Sequence, residues 1–104
     1  MVLFRRLLGD VLRAHRVERG LTLRELSQEA RVSLGYISEI ERGQKEASSE
    51  LLASLCSALD LPLSSVLRSV SDAVAVEEAV LAGAMPMPLA SGDPSLDTPV
   101  ASAA

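Results

Sequence analysis

An all-α fold, five helices continued by a C-terminal helical extension and a disordered tail, is what this sequence of 104 residues predicts. Three observations carry that reading. Apolar residues recur three or four apart up to residue 82 rather than alternating. The segments patterned in this way open on Thr22, Ser33 and Ser48, whose hydroxyls can cap helices, and close near Gly20 and Gly43. Nearly half of the chain is hydrophobic, yet it holds one Phe, one Tyr and no Trp, so the core is aliphatic, as suits a small helical bundle.

Helix 1 is expected from about Leu3 to Arg19, with Leu7, Leu8, Val11 and Leu12 on its buried stripe. Thr22 and Glu25 form a capping box that opens helix 2, whose apolar positions are Leu23, Leu26 and Ala30. Only Arg31 and Val32 then separate it from Ser33, the cap of helix 3, which carries Ile37 and Ile40 and stops at Gly43. Two short amphipathic helices joined this tightly make a helix-turn-helix, a shape that places its second helix in the major groove of DNA. That helix, about residues 33–42, presents Leu34, Gly35, Ser38 and Glu39 outward.

Helix 4 is capped by Ser48 and packs through Leu51, Leu52, Leu55 and Leu59. Asp60 and Pro62 mark the exit, with Pro62 suited to the first turn of helix 5, where Val66, Leu67 and Val70 follow. Residues 1–70 complete the DNA-binding unit. Ser69 and Asp72 can restart a helix after a kink, and Val70, Ala73, Val76 and Val80 then form an apolar stripe that the small domain has no core left to cover. A symmetric partner covers it most simply, so residues 63–82 are expected to be a dimerisation element; the alternative is a helix folded back onto its own domain, and Glu77 at the edge of the stripe favours that alternative. Residues 83–104 change to Pro, Ser, Ala, Gly and Asp without a single base, a disordered acidic tail.

The formal net charge of −4 conflicts with a DNA partner only when taken over the whole chain. Residues 1–70 hold all ten Lys and Arg against nine acids, a net of +1, whereas residues 71–104 hold five acids and no base. Association with phosphate depends on local positive charge. Positioning on the phosphates is therefore assigned to Arg24, Arg31, Arg42 and Lys45, to Ser33 with the backbone N–H groups of its helix start, and to the Tyr36 hydroxyl, which could instead pack on Arg or on the turn. Base contacts are assigned to the outward positions Leu34, Gly35, Ser38 and Glu39, a carboxylate in the major groove accepting from cytosine N4, the alternative for Glu39 being a solvated helix charge.

The strings Val32-Ser33, Ile37-Ser38 and Ile40-Glu41-Arg42-Gly43 resemble the signature of the XRE/Cro-C1 family of bacterial and phage DNA-binding proteins. The likeness runs from Leu8-Gly9 through Ala58-Leu59-Asp60-Leu61, and it implies a lambda-repressor-like domain. Within the family, SLGYISEIERGQKEASSELL is similar to the actinobacterial ClgR type, activators of genes for the Clp protease system. The resemblance implies that Arg16 pairs with Glu41 and locks helix 1 to the end of the recognition helix, the alternative being a free surface charge or a phosphate contact. It departs from the family at Leu23, where a DNA-contacting glutamine is common, and at Arg31, where the turn usually has glycine; a non-Gly residue in the left-handed region costs roughly 1 kcal/mol.

The expected partners follow from these assignments. They are double-stranded DNA bearing an inverted repeat, a second copy of the chain as a homodimer, RNA polymerase if the protein activates, and Clp protease through a small apolar ending, Ala103-Ala104. No cofactor, catalytic set or metal site is predicted: Cys56 and His15 are each the only residue of their type. Cys56 reads as a core thiol or a redox switch, and His15 as a surface residue. No run reaches the roughly 18 apolar residues that span a bilayer, and MVLFRRLLGDVLRAHR lacks a signal-peptide core, so a cytoplasmic location is expected. Competing readings are an XRE-type repressor or antitoxin, and a protein-interaction module whose helix-turn-helix has lost DNA binding.

Overall fold

The computed structural model describes residues 2–83, and among them every regular element is a helix. In chain order these are α1 (Phe4–Glu18), α2 (Leu23–Ala30), α3 (Leu34–Glu41), α4 (Ser49–Ala58) and α5 (Leu63–Leu81). The expected tail, with Ala103 and Ala104, lies outside the described residues beyond Gly83.

The caps sit where local chemistry puts them. Thr22 Oγ1 accepts from the Glu25 N–H at 3.0 Å, while Glu25 Oε1 accepts from the Thr22 N–H at 2.9 Å, a closed capping box. Ser33 accepts from the Tyr36 N–H at 3.1 Å and Ser48 from the Leu51 N–H at 3.2 Å. Gly20 and Gly43 close α1 and α3 with φ of 72° and 73°, values that a side chain would strain. Pro62 differs from its expected place. It sits one residue before α5 at the N-cap, with extended backbone, and its carbonyl accepts from the Ser65 N–H at 3.0 Å.

One aliphatic core joins all five helices. Leu8 and Leu12 of α1 meet Leu26 and Ala30 of α2, Ile37 and Ile40 of α3, Leu55 and Cys56 of α4, Leu59 just beyond it, and Val66 and Val70 of α5. Burial pushes the Cys56 thiol above its usual range, so the thiol is protonated at neutral pH and a poor nucleophile. That is the environment of a packing residue.

Helix α5 runs without a break from Leu63 to Leu81, rather than restarting at Ser69. Val66, Val70 and Val74 stand one turn apart and all face the core, so packing holds the helix straight through the Ser69-Asp72 pair. The same ladder divides the predicted dimer stripe. Val70, 3% exposed, is spent on the protein's own core and is not available to a partner, because its side chain lies between Val66 and Val74 on the inward face. Ala73 is half-buried, while Val76 and Val80 are 52% and 55% exposed.

Candidate nucleic-acid interface

The reading helix is held by backbone and charge together. Gly9 lies in the middle of α1, and a Cβ placed there would sit 2.3 Å from the Ile40 carbonyl oxygen and 2.8 Å from that of Glu41. Helix α1 therefore crosses the end of α3 at a distance only glycine allows. About two turns on, Arg16 Nε donates to Glu41 Oε2 at 2.8 Å and Arg16 Nη2 to Glu41 Oε1 at 3.0 Å, a two-pronged pair with side chains 11% and 5% exposed. Arg16 Nη1 also donates to the Leu21 carbonyl at 2.8 Å, so a single guanidinium ties α1, the α1–α2 loop and α3. The Glu41 hydrogen bond and charge raise the Arg16 pKa above its ordinary value against the opposing effect of burial, which keeps the pair intact far beyond neutral pH.

The connection between α2 and α3 turns on Arg31, whose backbone is left-handed at φ 60°, ψ 44°. Two bonds repay part of that strain. The Val32 N–H donates to the Ser27 carbonyl at 3.2 Å, and Ser27 Oγ donates to the Val32 carbonyl at 2.5 Å. Ser27 is thus a brace of the turn that spacing alone does not single out. Arg31 itself remains exposed and makes no ion pair among the described residues, its charge directed at solvent beside the start of α3.

The outward face of α3 holds Leu34 and Gly35 exposed and Ser38 and Glu39 half-buried. Nothing lies within 4 Å of a Cβ built on Gly35, and its backbone is ordinary helix, so neither space nor dihedral calls for glycine. Glycine within a helix costs about 1 kcal/mol relative to alanine, an expense the fold itself does not explain. The close approach to DNA expected of this position would account for it. Gly35→Ala is therefore expected to raise stability by about 0.5 to 1 kcal/mol in denaturant unfolding while weakening duplex binding; a variant that gains in both would reject the close approach.

The remaining predicted residues surround this face with different degrees of freedom. Arg42 donates to Ser38 Oγ and, at 3.4 Å, to Gln44 Oε1, so in the free protein its guanidinium lies back along α3. The Tyr36 hydroxyl donates to the Glu46 carbonyl at 3.3 Å, which occupies it with pinning the 44–47 loop rather than leaving it free for phosphate. That loop carries Lys45, exposed, as is Arg24 in the first turn of α2. Arg5, which no motif singles out, donates from Nε to the Gly43 carbonyl at 2.9 Å and closes the end of the reading helix.

Known proteins share this fold. The helix-turn-helix family matches residues 12–66, from the middle of α1 to the first turn of α5. The transcriptional regulator ClgR of Mycobacterium tuberculosis is 57% identical over 90 residues, which span 86% of this chain and 80% of that protein. The chain belongs to the ClgR family of helix-turn-helix transcriptional regulators. A crystal structure of the clp gene regulator ClgR from Corynebacterium glutamicum superposes with a TM-score of 0.73 at 48% identity, covering 78% of this chain and 86% of that one. DdrOP3 of Deinococcus deserti, also an HTH-type regulator, is 37% identical over 91 residues, 86% of this chain and 67% of that protein. The restriction-modification controller C.Esp1396I, seen bound to a 25 base pair operator, shares the fold at 19% identity and a TM-score of 0.66, covering 71% of this chain and 97% of its own. All four are regulators by name, and one of them is seen on its operator.

Proposed function

We propose that the protein is a transcriptional activator of Clp protease genes that binds an inverted repeat as a homodimer. The observation that carries the reading is the bare face of α3 at Leu34 and Gly35, open to solvent and framed by Arg24, Arg31 and Lys45, which make no ion pair among the described residues. Arg24, Arg31, Arg42, Lys45 and the helix start at Ser33 supply phosphate contacts that position the domain; Tyr36 contributes by holding the loop that carries Lys45. Leu34, Gly35, Ser38 and Glu39 contact base edges. Glu39 makes no ion pair among the described residues, and an unpaired carboxylate facing the groove selects cytosine by accepting from N4. The dimer uses Val76 and Val80, with Ala73 at its margin, and places two reading helices about 34 Å apart on one face of the duplex. Activation then requires that the bound dimer contact RNA polymerase, and turnover by Clp protease through Ala103 and Ala104 would close a feedback on the genes it controls.

Selection of bound sequences from a random duplex pool tests this reading. The wild-type chain should enrich an inverted repeat with a cytosine at a fixed position in each half-site. Glu39→Ala should lose roughly 1 to 3 kcal/mol of discrimination at that position alone. Val76→Glu combined with Val80→Glu should turn a dimer into a monomer by mass and reduce the enriched repeat to a half-site. Enrichment of nothing by the wild type would reject DNA recognition, and an unchanged base preference in Glu39→Ala would reject its role.

A further inference from the structure

The outer turns of α5 are referenced to the reading head through one polar contact. Arg6 Nη2 donates to Glu77 Oε1 at 2.9 Å, joining positions 71 residues apart, and Arg6 Nη1 reaches Asp10 Oδ2 at 3.4 Å. Arg6 lies in the turn of α1 that abuts the end of α3: a Cβ on Gly43 would come within 2.9 Å of Arg6 Cα, and the neighbouring Arg5 holds the Gly43 carbonyl. The inner part of α5 is fixed by Val66, Val70 and Val74 in the core. Beyond them Glu77 is the side chain that ties the helix down, with Val76 and Val80 exposed beside it.

We propose that the Arg6–Glu77 pair sets the angle at which α5 leaves the head, and through it the spacing between half-sites that the protein accepts. The inference rests on the dimer reading above. Its physical content is leverage. When the two heads swing in opposite senses about the dimer contact on the outer turns of α5, the reading helices move apart or together along the duplex, where one base pair is a step of about 3.4 Å. An exposed ion pair is worth at most about 1 kcal/mol, too little to hold the fold together but enough to bias one tilt over its neighbours. Each protomer carries one such pair, so the dimer applies the bias twice.

The test measures binding of the full chain to a series of duplexes in which two selected half-sites are separated by the enriched spacing, one base pair fewer, or one or two more. The wild type should prefer one spacing. Glu77→Gln should flatten that preference about two- to fivefold per pair without changing affinity for an isolated half-site, since Glu77 makes no contact with DNA in this reading. Glu77→Lys, which sets like charges together, should flatten it further, and Arg6→Glu combined with Glu77→Lys, made with Asp10→Asn so that the new carboxylate meets no acid at its side, should restore it. A Glu77→Gln protein with the wild-type preference, or a charge exchange that restores nothing, would overturn the inference while leaving the dimer standing. A wild type that is monomeric by mass and indifferent to spacing would remove the dimer reading and this inference with it.

Discussion

Arg16→Ala is expected to lower the stability of the fold by about 3 to 5 kcal/mol, more than removing any single core methyl group would. The reason lies in what remains behind. Glu41 is 93% inaccessible at residue level, 7% exposed, and without the guanidinium its carboxylate is left charged in a dry site while the Leu21 carbonyl also loses its donor. Thermal unfolding should report a fall in Tm of about 12 °C or more for a domain of this size. Replacing both partners by apolar residues of similar volume, Arg16→Met with Glu41→Leu, should recover much of the loss, because no buried charge is then unmatched. A single mutant within about 1 kcal/mol of wild type would show that Glu41 finds water in solution and that the pair is decorative. The pair also bears on the proposed binding: it fixes the last turn of α3 against α1, so folded Arg16→Ala protein should hold duplex less tightly even though the Arg16 guanidinium is taken up by Glu41 and the Leu21 carbonyl.

What could be read from the sequence was governed by distance along the chain. The caps at Thr22, Ser33 and Ser48 involve partners three residues away, and hydroxyl-to-amide geometry at that separation leaves few alternatives. The core positions followed from period for the same reason, since a stripe at helical spacing has one apolar side. The left-handed Arg31 and the Arg16–Glu41 pair were anticipated through resemblance to a family; composition and spacing did not give them. By contrast, Gly9 against the Ile40 carbonyl, Arg5 on Gly43 and Arg6 on Glu77 join segments 31 to 71 positions apart, and no local pattern encodes which turn of one helix meets which turn of another. Helix α5 shows the intermediate case. Periodicity identified its apolar stripe but could not say where the protein's own core ends, and so it placed Val70 with Val76 and Val80 although only the latter two face solvent.

The site divides along the same line. Which residues face outward on α3 was legible, because a short helix with Ile37 and Ile40 inward has one other side. How each is held was not. Ser38 is engaged by Arg42, and Tyr36 by the loop, through contacts that follow from side-chain reach after folding. If the proposed interface is used, it enters the encounter partly self-bonded: Leu34, Gly35 and Glu39 carry no side-chain hydrogen bond among the described residues, whereas Ser38 is engaged by the Arg42 guanidinium, which would have to leave the helix to reach a phosphate. Binding should therefore exchange an internal hydrogen bond for a charge-assisted one, a substitution that adds salt dependence without adding sequence preference.

Gly9→Ala should be the second most damaging substitution, and it separates the architectural glycine from Gly35, the glycine proposed to let DNA approach. At Gly35 a methyl group meets open space and helix propensity favours it; at Gly9 the same propensity gain of about 1 kcal/mol is opposed by a contact with backbone oxygen that no rotamer change can relieve. Overpacking of this kind costs about 1 to 3 kcal/mol and occasionally more. Because the obstructing atoms are the carbonyls of Ile40 and Glu41, the strain is relieved only by moving α3 away from α1, which also lengthens the Arg16–Glu41 bonds. The expected outcome is a net loss of about 2 to 3 kcal/mol in denaturant unfolding, together with weaker duplex binding measured well below the midpoint, where the protein is folded. Gly35→Ala should show the opposite sign in stability with the same sign in binding. Should Gly9→Ala prove as stable as wild type, α1 and α3 must approach less closely than their backbones do here, and the argument that α1 fixes the reading helix would lose its principal support.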